Sequence, residues 1–346
     1  YICDLYDREL KYYCQRYGNN SNPAFTDREI MTIYLFAGHC QKYFRIRDIY
    51  NFASEYLSSR FPKLPSYQTF NLRLNRLNEA FRVLSTGLIS SFMPADCNKG
   101  ISLVDSLPVI TCAGRNRQGK VAREITARGY CSTKNMYCYG LKLHALTLRR
   151  EGTIPFPKSL MVTPAEDNDL TVFKQARGDY ISDTVIFGDK IYSDFEYFND
   201  DKKQNRNIEM YTPVKAIKGQ SEQEKQRQKA YNDLFSTAVS KIRQQPIESF
   251  FNRLNEKTTI QRAQKVRSTK GLLVHTMGKI AIAFIYLIFL NTDSHILFYY
   301  VFYNFCLGFP NILFFYQFGF LFENSVIFFQ LCYAHNYIVK LASICF

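Results

Sequence analysis

Apolar residues in the first hundred positions recur at the three- and four-residue spacing of helices that bury one face. "FTDREIMTIYLF" places Glu29 three positions after Thr26, the reciprocal cap that starts a helix, and an apolar run follows. "RIRDIYNFASEYL" reads as a second amphipathic helix. After the break "FPKLPS", the stripe Phe70, Leu74, Leu77, Phe81 and Leu84 predicts a third helix, with Arg73, Arg76 and Arg82 largely off the buried side. Residues 1–95 are thus expected to form a small helical domain. An Arg-bearing helix there suits DNA binding, in the manner of a helix-turn-helix, and suits equally a helical domain with a solvated face.

From residue 101 the period changes. "ISLVDSLPVI", "YCYGLKLHALTL", "KSLMVTP", "DTVIFGD" and "IEMYTP" are short apolar runs closed by Gly, Pro or Asp, the pattern of strands. The first is expected to end at Pro108. "DNDLTVFKQARG" and "SDFEYFNDDKKQN" read as helices between the later strands, and "QQPIESFFNRLNEKTTIQ" as a last helix with Pro246 in its first turn. Three strands, then helix–strand–helix–strand and a closing helix, predict an α/β domain over residues 96–292, one mixed sheet flanked by helices.

Charge adds to this picture through its placement. The net +14 divides into +4 over residues 1–100, zero over 101–201, +10 over 202–270 and zero over the rest. One basic segment is what a chain facing a polyanion needs, although a solvated lysine-rich surface would look the same. The ten cysteines contain no CxxC, and Cys131 and Cys138 are six residues apart in between, a poor zinc spacing. With no secretory signal ahead of them, free thiols in a reducing cytosol are expected. Tyr1 in place of Met suggests a start inside a longer reading frame.

Residues 293–346 depart from everything before them. Residues 296–322 hold no charged side chain, long enough for a membrane span, yet they are crowded with Phe and Tyr and interrupted by Gly308 and Pro310. Phe, Tyr, Ile, Leu and Asn are what AT-rich DNA encodes. The expectation is translation beyond an ancestral stop codon or through a frameshift, ahead of a membrane anchor or an aromatic extension of the core.

Three acids stand against expectation. Asp105 lies mid-strand in apolar company, where a carboxylate costs several kcal/mol unless paired, hydrogen-bonded or holding a metal. Asp189 ends the strand "TVIFGD", where site residues of α/β folds gather. Glu248 sits at a helix start inside the most basic segment. Converging at one sheet edge, they would suit two magnesium ions, which take a few carboxylates, substrate phosphate and water. Flanking Lys and Arg would hold the DNA backbone. Singly, each acid reads better as a turn residue or a cap, and only their joint order and context favour the site; Asp167, Asp169, Asp183 and Asp194 read as caps. His144 and His275, among apolar neighbours, read as structural.

"LVDSLPV", "GYCSTKNMYCYGLKLHAL", "TPAEDNDL", "FGDKIYSD", "RQQPIESFFNRLNEKTTIQRAQKVRSTKGLLVH" and "MGKIAIA" resemble bacterial insertion-sequence transposases of the DDE type, most closely insertion sequence family 982. "FTDREIMTIYLF" and "FPKLPSYQTFNLRLNRL" resemble the helical domain of the same group, so the likeness spans roughly residues 25 to 290. It implies a ribonuclease-H-like catalytic fold preceded by a helical DNA-end-binding domain. It also implies Mg²⁺-dependent cleavage at terminal inverted repeats and joining of the freed 3′-hydroxyl to target DNA, with Mn²⁺ able to substitute. By motif, the catalytic and metal-holding triad falls on Asp105, Asp189 and Glu248. Arg73, Arg76, Arg243, Arg253, Lys257 and Arg267 are the expected DNA contacts. Lys257 fits least, because nine residues after Glu248 is about 2.5 helical turns, nearly the opposite side. A homodimer or larger assembly on DNA is expected, since two ends are joined in one event. The expected location is the bacterial cytoplasm, at the nucleoid, with a membrane role disfavoured. A nuclease of the same fold, and a decayed copy that only binds DNA, are the alternatives.

Overall fold

The computed structural model describes residues 5–14, 23–114, 119, 121–131, 135–176, 181–199, 206–215 and 219–289. Residues 1–297 form one compact unit; residues 298–346 form another, which lies outside the described residues together with the whole aromatic tail.

After a short helical segment over Tyr6–Cys14, the first long helix, α1 (Asp27–Cys40), begins at the expected cap: the Glu29 N–H donates to the Thr26 hydroxyl and the Thr26 N–H to the Glu29 carboxylate. α2 (Ile46–Tyr56) matches the second amphipathic stretch. The stripe from Phe70 to Leu84 is buried throughout, yet it spans two helices, α3 (Tyr67–Leu74) and α4 (Asn78–Ser91). The N–H groups of Arg76 and Leu77 donate to carbonyls three residues back. That tighter turn keeps the apolar side chains on the buried side across the junction.

Arg73 corrects the sequence reading. It is buried, with Nε 3.0 Å from Asp27 Oδ1 and Nη1 donating to the Phe25 carbonyl. Its guanidinium pins α3 to the entry of α1, so it is not available to a DNA phosphate. Removing one partner of such a pair is strongly destabilising.

The sheet runs β2-β3-β1-β5-β6, with β4 also on β3. The central β1 (Asn98–Ala113) lies antiparallel to β3 (Met136–Arg149), whose far edge takes β2 (Ala127–Cys131) and then β4 (Phe156–Pro164). On β1's other side, β5 (Thr184–Phe187) and β6 (Ile208–Tyr211) run parallel to it. All five strands read from the sequence form. The sixth, β2, is "ARGYC", too poor in apolar residues to announce itself. Among the described residues, "SDFEYFNDDKKQN" yields the single-turn helix Phe195–Phe198; its positions 200–205 lie outside them.

β1 does not stop at Pro108. The Ile110 N–H donates away from β3, to the Gln261 carbonyl. Two residues earlier on the same strand, Pro108 therefore turns its missing N–H to that same edge, where β5 has already ended.

Side chains alternate between two covered faces. Val104, Leu146 and Ile186 pack with Phe173 of α5 (Asp169–Ala176), Tyr192 and Phe198. Leu103, Asp105 and Leu107 point to the other face, which meets α6 (Glu222–Thr258). This helix begins at a Ser221–Glu224 capping box, far ahead of the expected start, so Pro246 lies deep in its interior. There the ring removes the hydrogen bond to the Ile242 carbonyl and crowds it, a cost of about 3 kcal/mol in an isolated helix. Packing of Val239, Ile247, Phe250, Phe251 and Leu254 holds the helix through that point.

α7 (Thr269–Phe289) is, among the described residues, long and apolar enough to cross a membrane. However, 67% of that stretch is buried within the protein, against α4, α1 and α6, which makes it the core helix of this unit. It meets α1 closely at Gly278, where an added Cβ would lie 2.6 Å from the buried Tyr34 ring. Gly278→Ala is expected to destabilise by roughly 1–2 kcal/mol in urea unfolding. Overpacking outweighs the ~1 kcal/mol gained in helix propensity. A more stable variant would show that Tyr34 yields.

A half-buried histidine and a buried lysine on α7 clamp the chain just past the end of α6. His275 Nε2 lies 3.0 Å from the Ile260 carbonyl, and Lys279 Nζ lies 3.3 Å from both Thr259 oxygens. Burial and the Lys279 charge push His275 down to about 3, and burial pushes Lys279 down to about 7. A histidine whose pKa is lower folded than unfolded stabilises above the unfolded value near 6.5 and loses that contribution as pH falls toward 3. About 2 kcal/mol should be lost between pH 7 and pH 5. His275→Gln should flatten that part of the pH–stability curve, measured by denaturant unfolding.

Candidate active site

The register places the first two acids. Leu103 of β1 pairs with Phe187 of β5 as the last rung of their parallel ladder. Asp105 and Asp189 each stand two residues beyond it. Period two puts both on one face, at the carboxyl end of the strand pair, where α/β folds bind ligands. Asp105 is 28% exposed at its side chain and Asp189 52%.

Each carboxylate is oriented by backbone. Asp105 Oδ1 accepts from the Ser106 N–H at 2.8 Å, and Asp189 Oδ1 from the Lys190 N–H at 2.7 Å. Between them lies Arg243 of α6, 9% exposed, with Nη1 2.8 Å from Asp105 Oδ2 and Nη2 3.9 Å from Asp189 Oδ1. Its Nε is buried without a hydrogen-bond partner. Burial pushes the Asp105 carboxyl up to about 6, against the pull of Arg243 and the Ser106 N–H, with Asp189 adding to the rise.

Glu248 lines the same cleft, of about 1720 Å³, together with Asp105, Asp189 and Arg243. It is exposed, and Gln244, one turn earlier on α6, donates to its Oε1 at 3.1 Å. Among the described residues no three acids, histidines or cysteines come close enough to hold an ion together. Asp105 and Asp189 nonetheless share one cation, and hard carboxylate oxygens on a common cleft wall fit a divalent ion such as Mg²⁺. Glu248 faces that cleft from the helix side.

The expected basic contacts divide. Arg243 is the counter-ion of the acid pair. Arg253 Nη1 lies 3.6 Å from Glu256, Lys257 lies 3.1 Å from Glu256 and over the Tyr286 ring, and Arg267 donates to the Gln264 and Val266 carbonyls. None of these three lines the cleft. Arg76 is exposed in the turn after α3. His144 is buried on the opposite sheet face, between Thr163 and Asp169. Asp194 caps the turn at Tyr197 as read, whereas Asn168, not Asp167 or Asp169, caps α5.

Sequence reading missed the inward role of Arg243. Its signal was the stripe Val239, Arg243, Ile247, Phe250, Leu254, which places an arginine on the packed side of the helix.

Residues 97–293 match a protein family described as transposase DDE domain. The chain belongs to that family. The matched region opens one residue before β1, closes just after α7, and contains all three acids. A mixed sheet flanked by helices, with further helices ahead of it, is consistent with the ribonuclease-H-like core of a DDE transposase. No curated protein and no solved structure matches the chain significantly.

Proposed function

We propose that this DDE-family chain is an insertion-sequence transposase, most like family 982, that cuts DNA at the element's terminal inverted repeats. It then joins the freed 3′-hydroxyl to target DNA by transesterification. The observation that carries the reading is the acid pair at matched positions past the last β1–β5 rung, in the family-matched domain, already sharing one cation. Asp105 and Asp189 would hold a first Mg²⁺ or Mn²⁺, and Glu248 would complete a second. Such ions stabilise charge on the attacking and leaving oxygens.

The chain's own groups supply orientation. The Ser106 and Lys190 N–H groups fix one oxygen of each aspartate, and Arg243 fixes the other oxygen of Asp105. Lys190, Lys142 and Arg128 add positive charge to the cleft for a phosphate backbone. Arg76, Arg253, Lys257 and Arg267 are proposed to extend that contact outside it. Two DNA ends imply at least a dimer, acting at the bacterial nucleoid.

The test is the full chain with a labelled duplex carrying the terminal repeat, in Mg²⁺. Nicking at the 3′ end followed by a joined product is expected. Cutting without joining would make it a nuclease of the same fold. The lack, among the described residues, of three acids, histidines or cysteines close enough to hold an ion favours a second reading, a decayed copy that binds DNA only. Specific binding without cleavage in either Mg²⁺ or Mn²⁺ would establish that.

A further inference from the structure

The β2–β3 hairpin carries an aromatic surface that the acid chemistry does not use. Tyr130 and Tyr137 are direct partners across the antiparallel pair. Both are half-exposed, with ring centroids 5.1 Å apart in an edge-to-face arrangement. The Arg128 guanidinium lies 4.4 Å over the face of Tyr137, and the Tyr130 hydroxyl donates to Asn135 Oδ1 at 2.5 Å, which fixes that ring. Tyr139, partner of Arg128, continues the row. On the reverse side of the same strands Cys131 and Cys138 are buried against Ile110. The hairpin thus has its own small core, and the tyrosines are not needed to supply one.

Position argues for a ligand. Arg128 and Tyr130 line the cleft that contains Asp105, Asp189 and Glu248. Along β3, odd-numbered residues share a face, so Tyr137 lies on the side of Ala145, the partner of Asp105. Eight residues of strand separate them, roughly 26 Å at about 3.3 Å each. That is about eight nucleotides at ~3.4 Å per phosphate.

We propose that Tyr130, Tyr137 and Arg128 form a stacking platform for an unpaired nucleobase of a DNA strand, about eight nucleotides from the phosphate held at the acids. The platform rests on the transposase reading. Aromatic faces bind bases irrespective of sequence, and a guanidinium beside them adds both a cation over the ring and a partner for the phosphate. In a closed duplex the base faces are stacked on each other, so the platform discriminates unpaired from paired DNA.

The experiment measures binding by the full chain of two fluorescent probes without Mg²⁺: a terminal-repeat duplex, and the same duplex with its strand unpaired over the seventh and eighth nucleotides from the cleavage site. Tyr130→Ala and Tyr137→Ala should each weaken the unpaired probe about tenfold or more, with the closed duplex unchanged. Tyr137→Phe should bind as the unaltered chain, since the ring face is retained, and Tyr130→Phe, which loses the bond to Asn135, should fall between the unaltered chain and Tyr130→Ala. Circular dichroism checks that the alanine variants fold. Equal loss on both probes, or no loss on the unpaired one, would overturn the platform while leaving the transposase reading intact. Failure of the unaltered chain to bind either probe would overturn both.

Discussion

Asp105→Asn is expected to abolish DNA cleavage and joining, by at least ~10³-fold, without weakening binding to the terminal repeat. The amide keeps the shape and can still accept the Ser106 N–H, so the strand and cleft should persist. What it loses is the negative charge. A carboxylate that holds a catalytic cation supports several kcal/mol of transition-state charge stabilisation, and each 1.36 kcal/mol is a factor of ten. The accompanying stability change is what separates a site residue from a structural one. The folded pKa of Asp105, about 6, lies above its unfolded value of 3.8. The native state thus binds its proton more tightly, and stability falls as pH rises from 3.8 through 6. At neutral pH the charged Asp105 costs about 2 kcal/mol once its partial exposure is counted. Asp105→Asn should remove that dependence, and the gain should be offset by Arg243, left nearly buried with only Asp189 at 3.9 Å beside it, so inactivity should come with little net change of stability. A cleaving Asp105→Asn would remove the proposed chemistry from this site, and an inactive but unfolded variant would make Asp105 a structural residue.

The acids were legible because they break local rules. "ISLVDSLPVI" puts a carboxylate inside an apolar run and "TVIFGD" puts one just past the end of another, and runs that short read as strands. Their meeting was not legible: it depends on the Leu103–Phe187 register, a pairing across 84 positions that no local pattern encodes. Arg243 was hidden for a related reason. Pro246 suggested a helix beginning there, which left Arg243 ahead of it, whereas the Ser221–Glu224 cap starts the helix earlier and turns Arg243 inward. Arg73 misled because the stripe was counted as one helix. On α3 alone it lies beside Leu74 and Phe70, facing Asp27. In each case local spacing was sound and the partner lay far along the chain.

Arg243→Gln should lower stability in the absence of metal by about 2–4 kcal/mol and make the protein more responsive to Mn²⁺ than the unaltered chain. The guanidinium spans Asp105 at 2.8 Å and Asp189 at 3.9 Å, and it is almost fully buried. Removing one side of such an interaction leaves charge uncompensated, the costly way to break an ion pair. Two carboxylates on one cleft wall would then lack the cation that Arg243 provides. A divalent ion is the natural replacement, and ligands that bind only the native state raise its stability by mass action. Thermal unfolding with and without Mn²⁺ measures both effects. The melting temperature should start lower in Arg243→Gln and rise further with metal. Arg243→Lys should recover only part of the starting stability, because an ammonium cannot reach two carboxylates as a planar fork does. A metal response no larger than that of the unaltered chain would mean that Arg243 and the ion do not contend for the same charge, and the guanidinium would then be a fixed part of the acid site.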